Sequence, residues 1–355
     1  MLKNKKIILA LFLIIQIVVI KILPYFPEIV EKIYSCGLYS FTSKIERYIF
    51  SWLPFSFGDL LYGFSIVYIV RWLLINRKRV IKDTKNWLLD IVATISIVYF
   101  AFHLFWGFNY YRLPIHKTMN IGNDYSTESL IQICEQLVYT VNTLQKELAI
   151  NDSAKVEIPY NKKEILNKVP FGYDKLSNKY SFLSYQAPCI KTSLFSTPLT
   201  YMGFSGYLNP ITNEAHIDGL IPGFKFPTTA SHEVAHQIGY AAENEANFIG
   251  FLAATHHPDM YFKYSGYAFG LRYCLSELYR RDPESYSNII KKLNIGTRKN
   301  YQEVSDFWDN YQNPLEPIFK ITYNGFLKAN QQKGGIKSYS YVVALLVNYI
   351  EKNPI

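Results

Sequence analysis

The sequence is poor in cysteine and in charge, and it contains no internal repeat or low-complexity tract. Its four cysteines, Cys36, Cys134, Cys189 and Cys274, lie far apart and form no CxxC pair. That spacing excludes a Cys-type zinc site and a dense disulfide framework, and leaves a single Cys189–Cys274 bridge as the pairing to consider. Charged residues make up only 18% of the 355, against about a quarter in an average soluble domain. Part of the chain is therefore not built to face water. The 30 Tyr and 24 Phe exclude a disordered or collagen-like protein.

The formal charge of +9 does not describe a nucleic-acid surface. Residues 1–112 hold 14 Lys/Arg and 6 Asp/Glu, so almost the whole excess sits in the most apolar third of the chain. Nucleic acid is not an expected partner.

Three apolar runs account for that third: about 7–23, 55–75 and 87–108. At 1.5 Å per residue each is long enough to cross a hydrocarbon core of about 30 Å. The first is followed by Lys21-Ile-Leu-Pro24-Tyr25-Phe26-Pro27, with no small-x-small cleavage site, so an uncleaved anchor is expected. Lys3, Lys5 and Lys6 flank one end of the first run. Arg77, Lys78, Arg79, Lys82 and Lys85 fill the turn between the second and third, whereas the loop from Pro24 to Pro54 is balanced. The positive-inside rule then puts the N-terminus in the cytoplasm and everything after the third span outside it. The expectation is a multi-pass cell-membrane protein whose partner along residues 1–112 is the lipid bilayer.

Residues 113–355 mix polar and apolar positions. A helix is expected from Ser126, because Leu130, Ile133, Cys134, Leu137 and Val141 recur at helical spacing. Lys191–Leu208 reads as one or two strands and Ala215–Ile221 as another. Helices are expected over 228–238, 243–256, 264–281, 283–293, 300–331 with a break near Pro314 and Pro317, and 338–352. The fold class is α+β, three transmembrane helices followed by a mainly helical domain with a small sheet.

The chemically informative stretch is Ser231-His232-Glu233-Val-Ala-His236-Gln-Ile-Gly239-Tyr240-Ala-Ala-Glu243-Asn-Glu245-Ala-Asn247. Residues four apart share a helical face, so His232 and His236 can reach one cation, with Thr or Ser as the expected N-cap of their helix. Glu233 can address a bound water, and a tetrahedral Zn2+ needs one further protein ligand. On a continuous helix Glu243 would lie about 10 Å beyond His236. The helix must therefore stop, and Gly239 can take the left-handed dihedrals of a stop. On a second helix from about Ala242, Glu243 and Asn247 share a face and Glu245 points about 200° away. Glu243 is the ligand if Asn247 supports the site, with Glu245 as the rival.

At these residues the chain resembles the gluzincin metallopeptidases, in which HExxH is followed on another helix by Glu-x-x-Ala-Asp. The resemblance implies Glu243 as third zinc ligand and Asn247 in the place of the Asp that bonds a ligand histidine. An amide can accept from an imidazole N–H but brings no negative charge. The HExxHxxG start is metzincin-like, yet Ala242 stands where a metzincin has its third His. Over nearly its full length the chain resembles an uncharacterised family of three-span bacterial membrane proteins with such a domain.

The function expected is zinc-dependent hydrolysis of peptide bonds in a peptide or protein substrate at the extracytoplasmic face, with one Zn2+ and with Glu233 as general base. Gly206–Asp218 is the candidate substrate edge. An oxyanion donor is sought among His256, His257, Tyr323 and Tyr339, with Tyr339 preferred because it follows a Gly-Gly turn. The alternative is a non-catalytic membrane-bound sensor or scaffold. Intramembrane proteolysis is disfavoured, since the motif is flanked by Thr228-Thr-Ala-Ser231 and Glu243-Asn-Glu245, too polar for lipid.

Overall fold

The long apolar runs fold as helices because, in lipid, a single segment can satisfy its backbone only internally. The computed structural model describes residues 2–355, the side chains of Leu2, Lys3, Tyr339 and Ser340 excepted. It is 73% helical, so the helical component dominates, with one small sheet. Helix α1 is Leu2–Ile22. A wide-turn helix, Val30–Leu38, then runs into α2, Tyr39–Ser51. The stretch between the first two spans, expected as a loop, is thus helical. Next come α3, Phe57–Asn76, and α4, Thr84–Phe105. Among the described residues, three segments are long and apolar enough to cross a membrane: Asn4–Tyr25, Phe57–Asn76 and Thr84–Phe105.

Spans one and three pack along their length. Gln16 Nε2 donates to Ser96 Oγ at 2.9 Å, Phe12 meets Phe100, and Lys6 Nζ reaches Asp90 Oδ1 at 2.5 Å. Arg79 bonds the other Asp90 oxygen at 3.0 Å, and Trp72 of α3 stacks on Trp87.

The rest of the chain contributes α5, Thr127–Leu148; α6, Lys162–Ser177; β1, Ile190–Thr192; α7, Ser196–Met202; β2, Gly206–Leu208; and β3, Ala215–Ile217. Then follow α8, Phe226–Gln237; α9, Glu243–His256; α10, Met260–Arg281; α11, Pro283–Lys292; α12, Ile295–Asn310; α13, Glu316–Ala329; and α14, Val342–Lys352. Ser126 caps α5 as expected, and Leu130, Ile133, Cys134, Leu137 and Val141 are all buried. Burying each of the large aliphatic side chains among them is worth roughly 1.5–3 kcal/mol.

Three local expectations are corrected. The middle of 191–208 is the helix α7, not strand, because Pro198 is tolerated in a first turn and Gly203, at φ +80°, ends it. Helix α6 was not anticipated; an Asn161/Glu164 capping box starts it and its buried face carries it past Pro170. All four cysteines are free thiols, so no Cys189–Cys274 bridge forms, and the buried Cys274 instead lies against Cys134.

The sheet order is β1-β3-β2, with β1 parallel and β2 antiparallel to β3. It is bolted to the start of α3. Glu214 accepts from Phe57 N at 3.1 Å and Gly58 N at 2.5 Å, and Lys191 Nζ bonds Glu214 at 2.6 Å. Asp59 is fully buried there, accepting from Leu194 N, Ser193 Oγ and the Tyr207 hydroxyl. A carboxylate inside an apolar run is thereby accounted for, since protein donors and not lipid surround it.

Candidate metal centre

Helix α8 buries Ala230, Val234 and Ala235 in the core and presents His232 and His236, one turn apart, on another face. Its start differs from expectation. Lys225 is the N-cap and Pro227 sits in the first turn, while Ser231 Oγ bonds back to Pro227 O at 2.9 Å and Thr228 pairs with Ser265. Gly239, at φ +91°, ends it: Gly239 N donates to His236 O and Tyr240 N to Ala235 O, both at 3.0 Å. The chain reverses, and Glu243 is the first residue of α9.

That reversal brings Glu243 Oε2 to 3.4 Å from His232 Nε2 and 3.5 Å from His236 Nε2. Candidate ligand atoms of His232, Glu233 and His236 also lie within 4.8 Å of one another. The other Glu243 oxygen is held by the Tyr323 hydroxyl, which donates to Oε1 at 2.7 Å. His236 Nδ1 lies 2.7 Å from Tyr240 O; a carbonyl can only accept, so Nδ1 carries a proton, and Nε2 is the nitrogen that faces Glu243 and would ligate a cation once it has given up its own proton.

Two glycines let neighbouring backbone reach this cluster. A Cβ at Gly206 would fall 2.6 Å from Glu233 Oε1, so β2, an edge strand, passes directly over the glutamate. A Cβ at Gly250 would fall 3.0 Å from His232 N, so α9 crosses α8 at near-contact distance.

Burial raises the Glu233 carboxyl above its ordinary range, the neighbouring imidazoles opposing. Burial alone would depress His236, but the Glu243 carboxylate outweighs it and lifts the imidazole to about 9. Glu243 would likewise be raised by burial, and the two imidazoles instead hold it well below the usual carboxylate range.

The terminal carbonyls of α8 are satisfied from residues 39–112. Tyr39 OH donates to Gln237 O at 2.9 Å, and Arg47 Nη1 donates to the same oxygen at 2.9 Å and to Asn213 Oδ1 at 2.7 Å. Trp106 Nε1 reaches His236 O at 3.3 Å, and Arg112 Nη1 reaches Gly239 O at 2.9 Å. Cationic donors suit the negative end of a helix. These four residues escaped the sequence reading. The available signal was the helical spacing of Tyr39, Ser43 and Arg47, all buried.

Glu245 turns away: its Oε1 accepts from Ile115 N at 2.7 Å, and burial pushes its carboxyl up to about 7. Asn247 is buried, but its Nδ2 contacts Tyr273 OH at 3.4 Å, and His232 Nδ1 has no hydrogen-bond partner among the described residues. His256 and His257 bond the Leu252 and Lys168 carbonyls, away from the cluster. Of the oxyanion candidates whose side chains are described, Tyr323 is the one brought to the site. The Tyr339 side chain lies outside the described residues. A cavity of about 700 Å³ opens beside the first turn of α9, lined by Tyr110, Arg112, Asn244, Glu245 and Arg280 but by none of His232, Glu233 and His236.

The profile of a family described as "Protein of unknown function (DUF3810)" matches residues 34–347. No curated protein and no solved structure matches the chain.

Proposed function

We propose a function from the site alone, because the chain belongs to the DUF3810 family, whose description carries no activity. The chain is a membrane-anchored zinc-dependent metallopeptidase, with its N-terminus cytoplasmic and its hydrolytic site on the extracytoplasmic side. The orientation is supported by Lys3, Lys5 and Lys6 and the Arg77–Lys85 turn, basic flanks on one side of the three spans.

One observation carries the chemistry. Two ligands each about 2.0–2.1 Å from a tetrahedral zinc lie about 3.3–3.4 Å apart. The separations of Glu243 Oε2 from the two Nε2 atoms are 3.4 and 3.5 Å. That oxygen is buried and, among the described residues, faces no donor besides the two imidazoles, so the donor set fits the ion. His232, His236 and Glu243 are the ligands. A zinc ion held there would polarise a scissile carbonyl and lower the pKa of the water beside it.

Glu233 accepts the proton of the attacking water and returns it to the leaving amine; its Oε2 is buried and has no partner among the described residues. Tyr323 positions Glu243 by occupying its second oxygen. The backbone of β2 offers an edge on which an extended peptide can add as a strand.

A second reading, a non-catalytic sensor or scaffold, is favoured by His232 Nδ1, which has no hydrogen-bond partner among the described residues, and by an amide rather than a carboxylate at position 247. The deciding experiment uses the full-length protein, since residues 39–112 complete α8. Purified protein is assayed for zinc content and for cleavage of an unstructured peptide library. Glu233→Gln is expected to keep its zinc and lose about 10²–10⁴-fold in rate. Zinc binding without cleavage by the wild type would favour the scaffold. Absence of zinc, or equal cleavage by the variant, would sink the hydrolase proposal.

A further inference from the structure

Helix α13 has an inverted surface. At 100° per residue, Phe326, Leu315, Thr322, Ile318, Gly325 and Ile321 fall within one arc of about 140°. Glu316, Lys320 and Lys328 all lie off it. The apolar arc is the open side: Leu315 is 57% exposed, Ile318 59% and Ile321 72%. The flank near Tyr323 and the buried Leu327 faces the protein. An apolar stripe of this size turned outward marks an interaction surface and not a solvated helix.

The neighbours of α13 identify what covers it. Phe326 lies 6.0 Å, ring to ring, from Phe102 in the last turn of the third span. Beside α13, Asn313 bonds Tyr201 O of α7 at 2.7 Å and Tyr323 packs on Phe204. At the start of α7, Phe195 rests against Gly63 of the second span, where a Cβ would be 3.5 Å from its ring. Counted from the span ends at Phe57 and Phe105, these contacts lie about 9 Å and about 5 Å inside the apolar segments. That is the depth at which interfacial amphipathic helices bury their apolar faces, about 5–10 Å. The open arc of α13 is therefore continuous with the lipid-facing surface of the spans.

We infer that α13 is an interfacial helix, lying with Leu315, Ile318, Ile321 and Phe326 in the leaflet on the globular side. From there its opposite flank delivers Tyr323 to Glu243. The occupant of the exposed face is lipid, and the metal centre stands at the membrane surface. Substrates within reach are accordingly segments lying at or tethered to that surface. The inference rests on the membrane reading of the three spans and holds whether or not the site hydrolyses anything.

The test is nitroxide accessibility in full-length protein reconstituted into phosphatidylcholine vesicles. Cys36→Ser removes the exposed thiol, and the other three cysteines are buried. Labels are then placed singly through Ile318→Cys, Ile321→Cys and, on the off-arc flank, Lys320→Cys. The ratio of collisions with oxygen to collisions with an aqueous nickel chelate is expected to be several-fold higher at 318 and 321 than at 320. Equal ratios at the three positions would overturn the inference. So would protection of 318 and 321 from both reagents, which would mean that protein covers the face. Unchanged unfolding temperatures in detergent establish that the labelled variants are folded. The readout needs neither metal nor turnover, so its failure leaves the hydrolase proposal standing.

Discussion

Gly250→Ala tests whether the close crossing of α8 and α9 sets the ligand geometry. The added Cβ would lie 3.0, 3.1 and 3.2 Å from His232 N, Cα and Cβ. Two of those atoms are backbone and the third moves only with it, so no rotamer change relieves the contact. The helices must part by several tenths of an ångström, and the costs of such overpacking are typically about 1–3 kcal/mol. Parting carries His232 away from the helix that bears Glu243. The 3.4 Å separation between Nε2 and Oε2 widens beyond what one tetrahedral ion spans.

If the strain is relieved by loss of the ion, about 1–3 kcal/mol corresponds to zinc binding roughly 5–150-fold weaker. Competition with a chromophoric chelator, on full-length protein in detergent, measures this directly. Thermal unfolding of the metal-free protein measures the part expressed as stability. Gly325→Ala is the matched control: nothing lies within 4 Å of its Cβ, so zinc affinity stays unchanged and the helix gains stability. A Gly250→Ala protein indistinguishable from wild type in both measurements would refute the reasoning.

Arg47→Met removes the donor to Asn213 Oδ1 and Gln186 O and leaves Gln237 O with Tyr39 alone. Asn213 Oδ1 is buried and loses its partner at about 1–3 kcal/mol, while Gln186 is exposed and can turn to water, so the unfolding midpoint should fall by a few degrees; the exposed neighbour Lys44→Met should not move it, and equal midpoints would remove Arg47 from the scaffold of α8. Glu46 has both carboxylate oxygens buried with no hydrogen-bond partner among the described residues, and burial raises its pKa to about 8. Between the ordinary carboxyl value and about 8 the unfolded chain releases this proton while the folded chain keeps it, so stability declines as pH rises through that window. Glu46→Gln should flatten the decline between about pH 5 and about pH 8, and parallel unfolding profiles for the two proteins would contradict the assignment.

Much of the architecture was legible locally. The spans, the helix from Ser126, the stop at Gly239 and the start of α9 at Glu243 each follow from a period or a dihedral preference within a few residues. The register of α6 was hidden by Pro170, whose local cost is outweighed by the buried face of Leu166, Val169, Tyr173 and Leu176. Within 191–208, where one or two strands were expected, strands form at the two ends and the middle is helical for a related reason. Ser, Thr and Pro suit a short capped helix as well as a strand, and only the surroundings choose.

The candidate site divides along the same line. The sequence by itself determined that two imidazoles share one helical face and that a glycine turns the chain back toward them, because both are consequences of local backbone geometry. Only the tertiary structure decided that Glu243 and not Glu245 meets those imidazoles, that Tyr323 and not His256 or His257 reaches the carboxylate, and that Tyr39, Arg47, Trp106 and Arg112 close the end of the histidine helix. The contacts of Tyr323 and of the four residues at the helix end join positions 80 to about 200 apart. Their partners are selected by packing and by the need to satisfy every buried carbonyl, and neither leaves a periodic trace along the chain.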